Sequence, residues 1–179
     1  PSHYCGDGFA RAFDIQFTGR DITLQYPHQT SWGMSSRIFG AIIMTHGDNN
    51  GLVLPPAVAP VQVVILPIAM HKEGVRDKAM ELRDRLAATF RVKVDDSDNS
   101  AGWKFAEYEM KGVPLRLEIG PKDISNNQCV LVRRDNREKT FVSLDQLEAA
   151  IAEQLEAVRA GLYEKALARR EEMTYSAKT

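Results

Sequence analysis

Arg37 is a residue whose position calls for a chemical explanation. It lies between the short turn SWG, residues 31–33, and an apolar run that ends at His46. That run predicts a helix over residues 34–46 that is apolar on nearly every side, and such a helix is normally buried. A cation in the first turn opposes the helix dipole, so Arg37 needs an anionic or aromatic partner. Two interpretations remain open: the arginine pairs with a structural acceptor, or it stacks on a base and binds the phosphates of a nucleotide.

Residues 102–123 combine charged and aromatic side chains in one short stretch. The charged residues are Lys104, Glu109, Lys111, Arg116, Glu118, Lys122 and Asp123, and the aromatic residues are Trp103, Phe105 and Tyr108. Unpaired bases are bound by aromatic faces and by polar groups that reach their edges. Carboxylates accept from guanine N1 and N2, whereas Arg and Lys donate to O6 and N7. The stretch predicts recognition of single-stranded bases, unless it is a solvated surface whose charges pair with one another.

Other candidate sites in the sequence are weaker. A phosphate loop follows a strand and opens a helix, but only five residues precede the glycine-rich segment GDGFAR, residues 6–11, and we expect a strand after it. The histidines, which lack the mutual spacing of metal ligands, are His3, His28, His46 and His71. Positions alone support no Ser/His/Asp or Cys/His arrangement for nucleophilic catalysis.

Size and composition are those of an ordinary globular protein. The 179 residues suffice for one domain or two small ones, and a net charge of −1 gives no basic field over the whole chain. A local patch would still suffice for RNA. Cys5 and Cys129 form no CxxC pair, so we expect no zinc site, no disulfide and a reducing, cytoplasmic location. The apolar runs are too short to span a bilayer, and Pro1 in place of Met leads us to expect a fragment.

A hairpin and a helix are predicted to position Arg37. Residues 11–17 and 22–30 alternate apolar and polar side chains around the turn TGRD, which predicts two antiparallel strands. The turn cluster GDNNG ends the helix after His46. Three prolines follow in LVLPPAVAP and form a stiff connector, so we place a domain boundary near Pro60.

The charged and aromatic stretch is predicted to lie in a second, α/β unit. VQVVILPI is a continuous apolar strand, typical of a sheet covered on both faces. A helix over residues 73–89, a short helix WKFAEYEMK and a last helix from about residue 144 accompany the strands RVKVD, VPLRLEI, QCVLVRR and KTFVSL. In VPLRLEI, the residues predicted to face one side are Val113, Leu115, Leu117 and Ile119, and those predicted to face the other are Arg116 and Glu118. This order predicts a small α/β domain with a mixed five-stranded sheet.

A family resemblance is carried by three strings: SHYCGDGFARAFDIQF, HQTSWGMSSRIFGAIIMTHGDNNGLVLPPAVAPVQVVILPI and GWKFAEYEMKGVPLRLEIGPKD. Together they resemble prolyl-tRNA synthetases of the archaeal and eukaryotic-like type, from Ser2 to about Tyr175. The resemblance implies that residues 1–59 are the C-terminal part of a class II synthetase catalytic domain. This part would hold the end of its antiparallel sheet, a hairpin and the motif 3 helix. An anticodon-binding domain over residues 60–165 and the start of a truncated C-terminal extension over residues 166–179 are implied to follow.

The resemblance also implies roles for individual residues. Those implied to bind ATP are Ser35 and Arg37, and those implied to bind proline are His3, Ser31, Trp32 and Gly33. Those implied to bind the anticodon of proline tRNA are Lys104, Glu109, Arg116, Glu118, Lys122 and Asp123. The implied reaction forms prolyl-adenylate from proline and ATP with Mg²⁺ and then transfers the prolyl group to the tRNA. A homodimer without a membrane partner is implied for the parent enzyme.

The sequence departs from the family in several places. The family usually has Thr where this chain has Pro1, and often Gln-Asn where it has Asp7-Gly8. Motifs 1 and 2 and the zinc-associated C-terminal domain are not found in these 179 residues. We therefore expect part of a proline–tRNA ligase that binds the anticodon but does not aminoacylate alone. The alternative is a free-standing tRNA-binding or regulatory module derived from a class II synthetase.

Overall fold

The computed structural model describes residues 1–177. These residues form two compact units, one from Pro1 to Ala41 and a second that begins at Ile42. The division falls inside the helix of residues 37–46. The predicted domain boundary near Pro60 lies in the proline-rich segment that follows this helix. The boundary at residue 60 therefore stays a prediction.

The first unit contains two small antiparallel sheets. Strand β1 (Ser2–Gly6) pairs with β4 (Gln29–Trp32), and β2 (Phe17–Thr18) pairs with β3 (Leu24–Gln25). The predicted antiparallel hairpin around the turn TGRD is confirmed, but each of its strands is only two residues long. Such short ladders present little apolar surface on which other elements could pack.

A short helix replaces the first two residues of a predicted strand. Helix α1 (Gly8–Ala12) overlaps the start of residues 11–17, so the strand prediction there is wrong. The segment GDGFAR also runs from the end of β1 into this helix, contrary to the expectation that a strand would follow it. The amide of Arg11 donates to the carbonyl of Asp7 at 2.9 Å, and the two side chains form an ion pair at 2.7 Å. Pairs four residues apart support a helical turn, and alternation of apolar residues alone does not reveal them.

Helix α2 (Arg37–His46) is confirmed, but it begins three residues later than predicted and contains no buried residue. The carbonyls of Ser35 and Ser36 accept from the amides of Ile38 and Phe39 at 3.1 Å and open its first turn. Phe39 is 66% exposed. The prediction of a buried helix is therefore wrong for this chain.

A mixed sheet of five strands lies at the centre of the second unit. Its spatial order is β6 (Val92–Val94), β5 (Val63–Pro67), β7 (Leu115–Ile119), β8 (Gln128–Arg133) and β9 (Lys139–Ser143). Strand β5 runs parallel to β6 and β7, and the other neighbours are antiparallel. The mixed five-stranded sheet is therefore confirmed. All residues of β5 are buried, as its continuous apolar sequence predicts.

Helices cover the two faces of this sheet unequally. On one face, α3 (Val75–Leu86) and α6 (Leu147–Glu172) enclose the main core with β7, β8 and β9. On the other face, α4 (Ala101–Met110) packs Tyr108 against Val64 and Leu66 of β5. The second face stays open over β9, where Phe141 is 68% exposed.

The long helices follow the periodicity of the sequence. The residues that α3 buries are Val75, Ala79, Leu82 and Leu86, and those that α6 buries are Leu147, Ile151, Leu155, Val158 and Leu162. Both stripes repeat at three- and four-residue intervals, which is the period of a helix with one apolar face. Within residues 1–177, no helix is both long and apolar enough to cross a membrane.

Two details beside β7 differ from the prediction. Val113 packs in the smaller cluster with Tyr108, not in the main core that holds Leu115. The strand begins only after Pro114, so the two-residue alternation does not extend back to Val113. A short helix, α5 (Pro121–Ser125), follows the strand and was not predicted.

Candidate nucleotide-binding segment and nucleic-acid interface

The residues predicted to contact proline meet in the β1–β4 ladder. His3 lies directly opposite Ser31, and Ser2 lies opposite Trp32. Directly opposed residues of an antiparallel pair project to the same face, so His3 and Ser31 share one face and Trp32 lies on the other. The amide of Gly33 extends the ladder by donating to the carbonyl of Pro1 at 3.0 Å. The structure therefore brings together the side chains of His3 and Ser31, with the Gly33 backbone at the end of the same strand, and it places Trp32 on the opposite face.

Ser35 and Arg37 follow this ladder at the start of α2. Both are exposed, as are all residues from 30 to 40. Within residues 1–177, no carboxylate or other acceptor pairs with the Arg37 guanidinium. Its position at the N-terminus of α2, where a cation is disfavoured, therefore has no internal electrostatic compensation. Of the two interpretations of Arg37, the structural-acceptor one has no support in the described chain.

Three of the predicted anticodon residues lie close together on α4 and β7. Arg116 donates from Nε to Glu118 Oε1 at 2.8 Å, and its guanidinium lies 4.1 Å from the centre of the Phe105 ring. Both partners of this ion pair are mostly buried, with side chains 16% and 14% exposed. Glu109 lines the same depression as Arg116. These charges are held in fixed orientations, as base-edge recognition requires.

The depression beside Arg116 has a volume of about 180 Å³, and most of its charged lining residues are basic. Its charged lining consists of Arg116, Arg133, Arg134, Arg137, Lys139 and Glu109. Arg137 lies 2.7 Å from Glu109 Oε1, in an ion pair whose N–H is not aligned for a hydrogen bond. Four of these five cations are paired with a carboxylate: Arg116 with Glu118, Arg133 with Asp135, Arg134 with Asp48 and Arg137 with Glu109. Lys139 forms no ion pair within residues 1–177, so it supplies the unpaired positive charge of the lining.

Lys104 has a structural role in this fold. It is only 4% exposed, and its ammonium donates to the carbonyls of Asp95 at 2.9 Å and Ser97 at 2.7 Å. Burial opposes the ionisation of Asp95, but hydrogen bonds from Ser97 and Tyr108 and the nearby Lys104 charge hold its pKa below the ordinary value. Lys104 therefore fixes the loop before α4, and its predicted contact with the anticodon is not supported by its surroundings.

Lys122 and Asp123 lie on α5, directly after β7. Asp123 accepts from the amide of Gly120 at 2.9 Å and so caps the start of this helix. Lys122 is exposed in the first turn. Both residues lie beyond the end of β7, the strand that carries Arg116 and Glu118. Neither of them lines the basic depression.

A buried arginine anchors the back of the depression. Arg134 is 5% exposed, and its guanidinium donates to both carboxylate oxygens of Asp48, at 2.8 and 2.7 Å. Its Nε donates to the carbonyl of Glu109 at 2.7 Å. The hydrogen bonds from Arg134 hold the pKa of Asp48 far below its ordinary value, against the opposing effect of burial. Arg134 thus joins the loop after α2 to the C-terminal end of α4.

Backbone hydrogen bonds complete this connection. The amide of Leu52 donates to Met110 at 2.9 Å, and that of Leu54 donates to Gly112 at 3.3 Å. Gly51 and Gly112 both have positive φ, at 127° and 71°. A Cβ atom on Gly112 would lie 2.6 Å from the side chain of Leu52, so the two segments approach more closely than any larger residue permits. We call this contact of residues 51–54 with residues 110–112 the glycine seam.

Sequence reasoning missed three residues around the predicted set. Arg137, Lys139 and Phe141 lie in or near the β8–β9 hairpin, and none was a candidate. The register pairs Val132 with both Arg116 and Lys139, and Val130 with both Glu118 and Phe141. The alternation in KTFVS already assigns Lys139 and Phe141 to one face, and the presence of Phe on the face of Lys is the signal that could have identified them.

Comparisons with known proteins identify the class to which this fold and interface belong. Residues 62–154, more than half of the chain, match the family described as the anticodon binding domain, and the chain belongs to that family. Over nearly its whole length the chain is similar to curated proline–tRNA ligases. It is 64% identical to that of Ruminiclostridium cellulolyticum and 62% identical to that of Clostridium novyi, over 99% of the chain in each case. The chain spans 37% of the length of these relatives.

Among residues 1–177, no group of three or more His, Cys, Asp or Glu side chains is arranged to hold a metal ion. The donors at the start of α2 are a guanidinium and hydroxyls, which suit phosphate oxygens. These donors therefore suit an anionic ligand.

Proposed function

We propose that the chain is the part of a proline–tRNA ligase that carries the anticodon-binding domain and one segment of the ATP and proline sites. The observation that carries the proposal is the fixed cluster of Glu109, Arg116 and Glu118 beside a basic depression, within a domain of the anticodon-binding family. Guanine presents donors and acceptors that match carboxylates and a guanidinium. The basic lining suits the flanking phosphates.

The proposed role of the first unit is to hold ATP and proline. Arg37 and Ser35 fit ATP because both are exposed donors, and Arg37 has no acceptor within the described chain. His3 and Ser31, held opposite each other, are the proposed contacts to proline, and Gly33 follows them at the end of the same strand. The proposed contact of Trp32 would have to be made from the other face of the ladder. Arg37 would stabilise the charge that builds on the phosphates while the proline carboxylate attacks the α-phosphate.

Mg²⁺ is part of the proposal as the ion that neutralises the phosphate oxygens of ATP. The proposal also includes transfer of the prolyl group to tRNA, a homodimer and a cytoplasmic location for the whole ligase. These properties rest on similarity to relatives whose length exceeds that of this chain. The binding of the anticodon, by contrast, can be tested on the chain itself.

The test compares two RNAs by fluorescence anisotropy at several salt concentrations. One is a proline tRNA transcript, and the other is the same transcript with the anticodon guanines replaced. We expect the chain to bind the first about tenfold more tightly or better, because each well-oriented pair contributes roughly 1 to 3 kcal/mol of base discrimination. Affinity for both RNAs should fall as salt rises, since phosphate contacts release counterions.

Two arginine variants make the test specific. Arg116→Gln should remove most of the preference for the unaltered anticodon. Arg159→Gln is the matched control, because Arg159 also forms an ion pair with a glutamate but lies exposed on α6. Equal affinity of the unmodified chain for both transcripts would contradict the proposed function.

A further inference from the structure

The open face of the sheet over β7, β8 and β9 has a defined pattern of side chains. In one cross-strand row, Val132 lies between Arg116 and Lys139. In the next row, Val130 lies between Glu118 and Phe141. Directly opposed residues project to the same face, so the first row ends in two cations and the second joins a carboxylate to an aromatic ring. Both rows begin at residues of the proposed anticodon site.

Phe141 is the large apolar side chain exposed on this face. It is 68% exposed, whereas its neighbour Val142 is 9% exposed and belongs to the main core. Single exposed apolar residues are common on proteins and need no explanation alone. Phe141 differs from such residues in two ways. Its cross-strand row also contains the Glu118 carboxylate, and Lys139 precedes it by two residues on the same face of β9.

The charge around this face favours a polyanion with unpaired bases. The basic depression adjoins the first row through Arg116, Val132 and Lys139. Its four arginines are each paired with a carboxylate, so Lys139 carries its unpaired positive charge. Lys139 is exposed and, within residues 1–177, forms no ion pair. A flat aromatic surface next to free positive charge is the arrangement with which proteins bind single-stranded nucleic acid. An apolar protein partner would not use the cations.

We propose that Phe141 is a stacking platform for one unpaired base of the RNA loop and that Lys139 contacts a phosphate beside that base. This inference rests on the proposed function, which it deepens by adding two residues to the recognition surface. The neighbouring Glu118 and Arg116 would then read the edge of an adjacent base. Stacking supplies affinity that tolerates any base, whereas the charged pair supplies the choice of base.

The experiment uses the whole chain and a hairpin RNA with the anticodon stem and loop of proline tRNA. Phe141→Leu keeps an apolar side chain but removes the aromatic face, and Phe141→Tyr keeps the face. Tyr163→Leu is the matched control, because Tyr163 on α6 is 65% exposed, close to the 68% of Phe141. Circular dichroism checks that each variant is folded. Affinity is measured by anisotropy, and 2-aminopurine at each loop position in turn reports stacking.

We expect Phe141→Leu to raise Kd about 5- to 100-fold, because base–aromatic stacking contributes about 1 to 3 kcal/mol per base. Phe141→Tyr should stay within about twofold of the unmodified chain, and Tyr163→Leu should not change Kd. At one loop position the unmodified chain should quench 2-aminopurine, and Phe141→Leu should abolish the quenching. Lys139→Gln should weaken binding to all loop sequences alike and reduce the dependence on salt.

The outcomes separate this inference from the proposed function. If the chain prefers the proline anticodon and Phe141→Leu binds as tightly as the unmodified chain, the stacking inference is wrong and the proposed function stands. If the anticodon guanines do not matter but Phe141→Leu still loses affinity and quenching, stacking is supported and anticodon recognition is overturned. If Phe141→Leu changes only the mass in sedimentation, the face joins two copies of the chain and the inference is wrong.

Discussion

The first 41 residues leave most of their large apolar side chains exposed, whereas the region from Ile42 onward buries many of its own. Among residues 1–41, Ala10 alone is buried, whereas residues such as Phe13 and Trp32 are 73% and 80% exposed. The second region encloses a continuous core between a five-stranded sheet and two long helices. A sheet of five strands provides a surface that helices can cover, but a two-stranded ladder does not. The region from Ile42 onward is therefore stabilised by a core of its own, whereas residues 1–41 enclose one buried residue.

The same contrast separates the two candidate sites. The proposed anticodon residues are fixed by ion pairs and by packing, as in the Arg116–Glu118 pair and the contact of Arg116 with Phe105. The proposed ATP and proline residues depend on one short ladder and on the exposed start of α2. The second region therefore has a preorganised surface, and the first has exposed donors whose positions are less constrained.

The largest expected effect comes from matched leucine substitutions in the two regions. Leu117→Ala removes a fully buried side chain from the central strand β7 and should lower the free energy of unfolding by about 3 to 4 kcal/mol. Leu24→Ala, at a leucine 71% exposed in β3, should change it by less than about 0.5 kcal/mol. Urea denaturation followed by circular dichroism measures both. Equal losses would contradict the difference between the two regions.

A smaller effect is expected from the Asp48–Arg134 pair. Asp48→Asn leaves the Arg134 guanidinium buried without its carboxylate and should cost about 1 to 3 kcal/mol at neutral pH. The pKa of Asp48 is lowered by folding, so its contribution is present above the unfolded value, near 3.8, and is lost as pH falls below it. The stability difference between variant and unmodified chain should therefore shrink below about pH 4.

The control for this pair lies in the first region. Asp7→Asn breaks the Asp7–Arg11 pair, whose arginine side chain is 63% exposed, and should give no measurable change. Denaturant titrations at pH 7, 5 and 3.5 provide the comparison. A difference for Asp48→Asn that did not depend on pH would show that the charge of Asp48 is not the stabilising element.

The smallest expected effect is that of Arg37→Ala on stability. Arg37 is exposed and has no acceptor among residues 1–177, so its removal should leave the thermal midpoint unchanged, as should Arg20→Ala at another exposed arginine of the same region. Differential scanning fluorimetry measures both. A loss confined to Arg37→Ala would indicate a structural partner and would weaken the assignment of this arginine to ATP.

Periodicity predicted the second region well because its elements are long and lie between two layers. Strand β5 is apolar throughout, so it fits only between two covering layers. Helix α6 has one apolar stripe, which includes Ile151 and Val158, so only that face can pack on the core. Residues 11 and 12 were assigned to a strand because the Asp7–Arg11 contact that supports the helix is not visible in an alternation pattern. Short segments with few contacts are the ones that such patterns predict least well.

The candidate site was only partly accessible from the sequence. The string around Arg116 and Glu118 identified the charged cluster, but Lys104 in the same string is buried by contacts with the carbonyls of Asp95 and Ser97. A charge pattern does not distinguish a lysine that faces solvent from one that binds a loop. Phe141 was missed because it joins the cluster through strand pairing across 23 residues of sequence, and no local motif records that pairing.

The glycine seam restricts which sequences can adopt this fold. Gly51 and Gly112 lie on opposite sides of the seam, and an added Cβ would lie 2.5 Å from Met110 in the first case and 2.6 Å from Leu52 in the second. Both also need a backbone conformation that other residues rarely adopt. Neither position can change while the other segment keeps its place. Any sequence that adopts this fold must therefore keep both glycines or rebuild the seam.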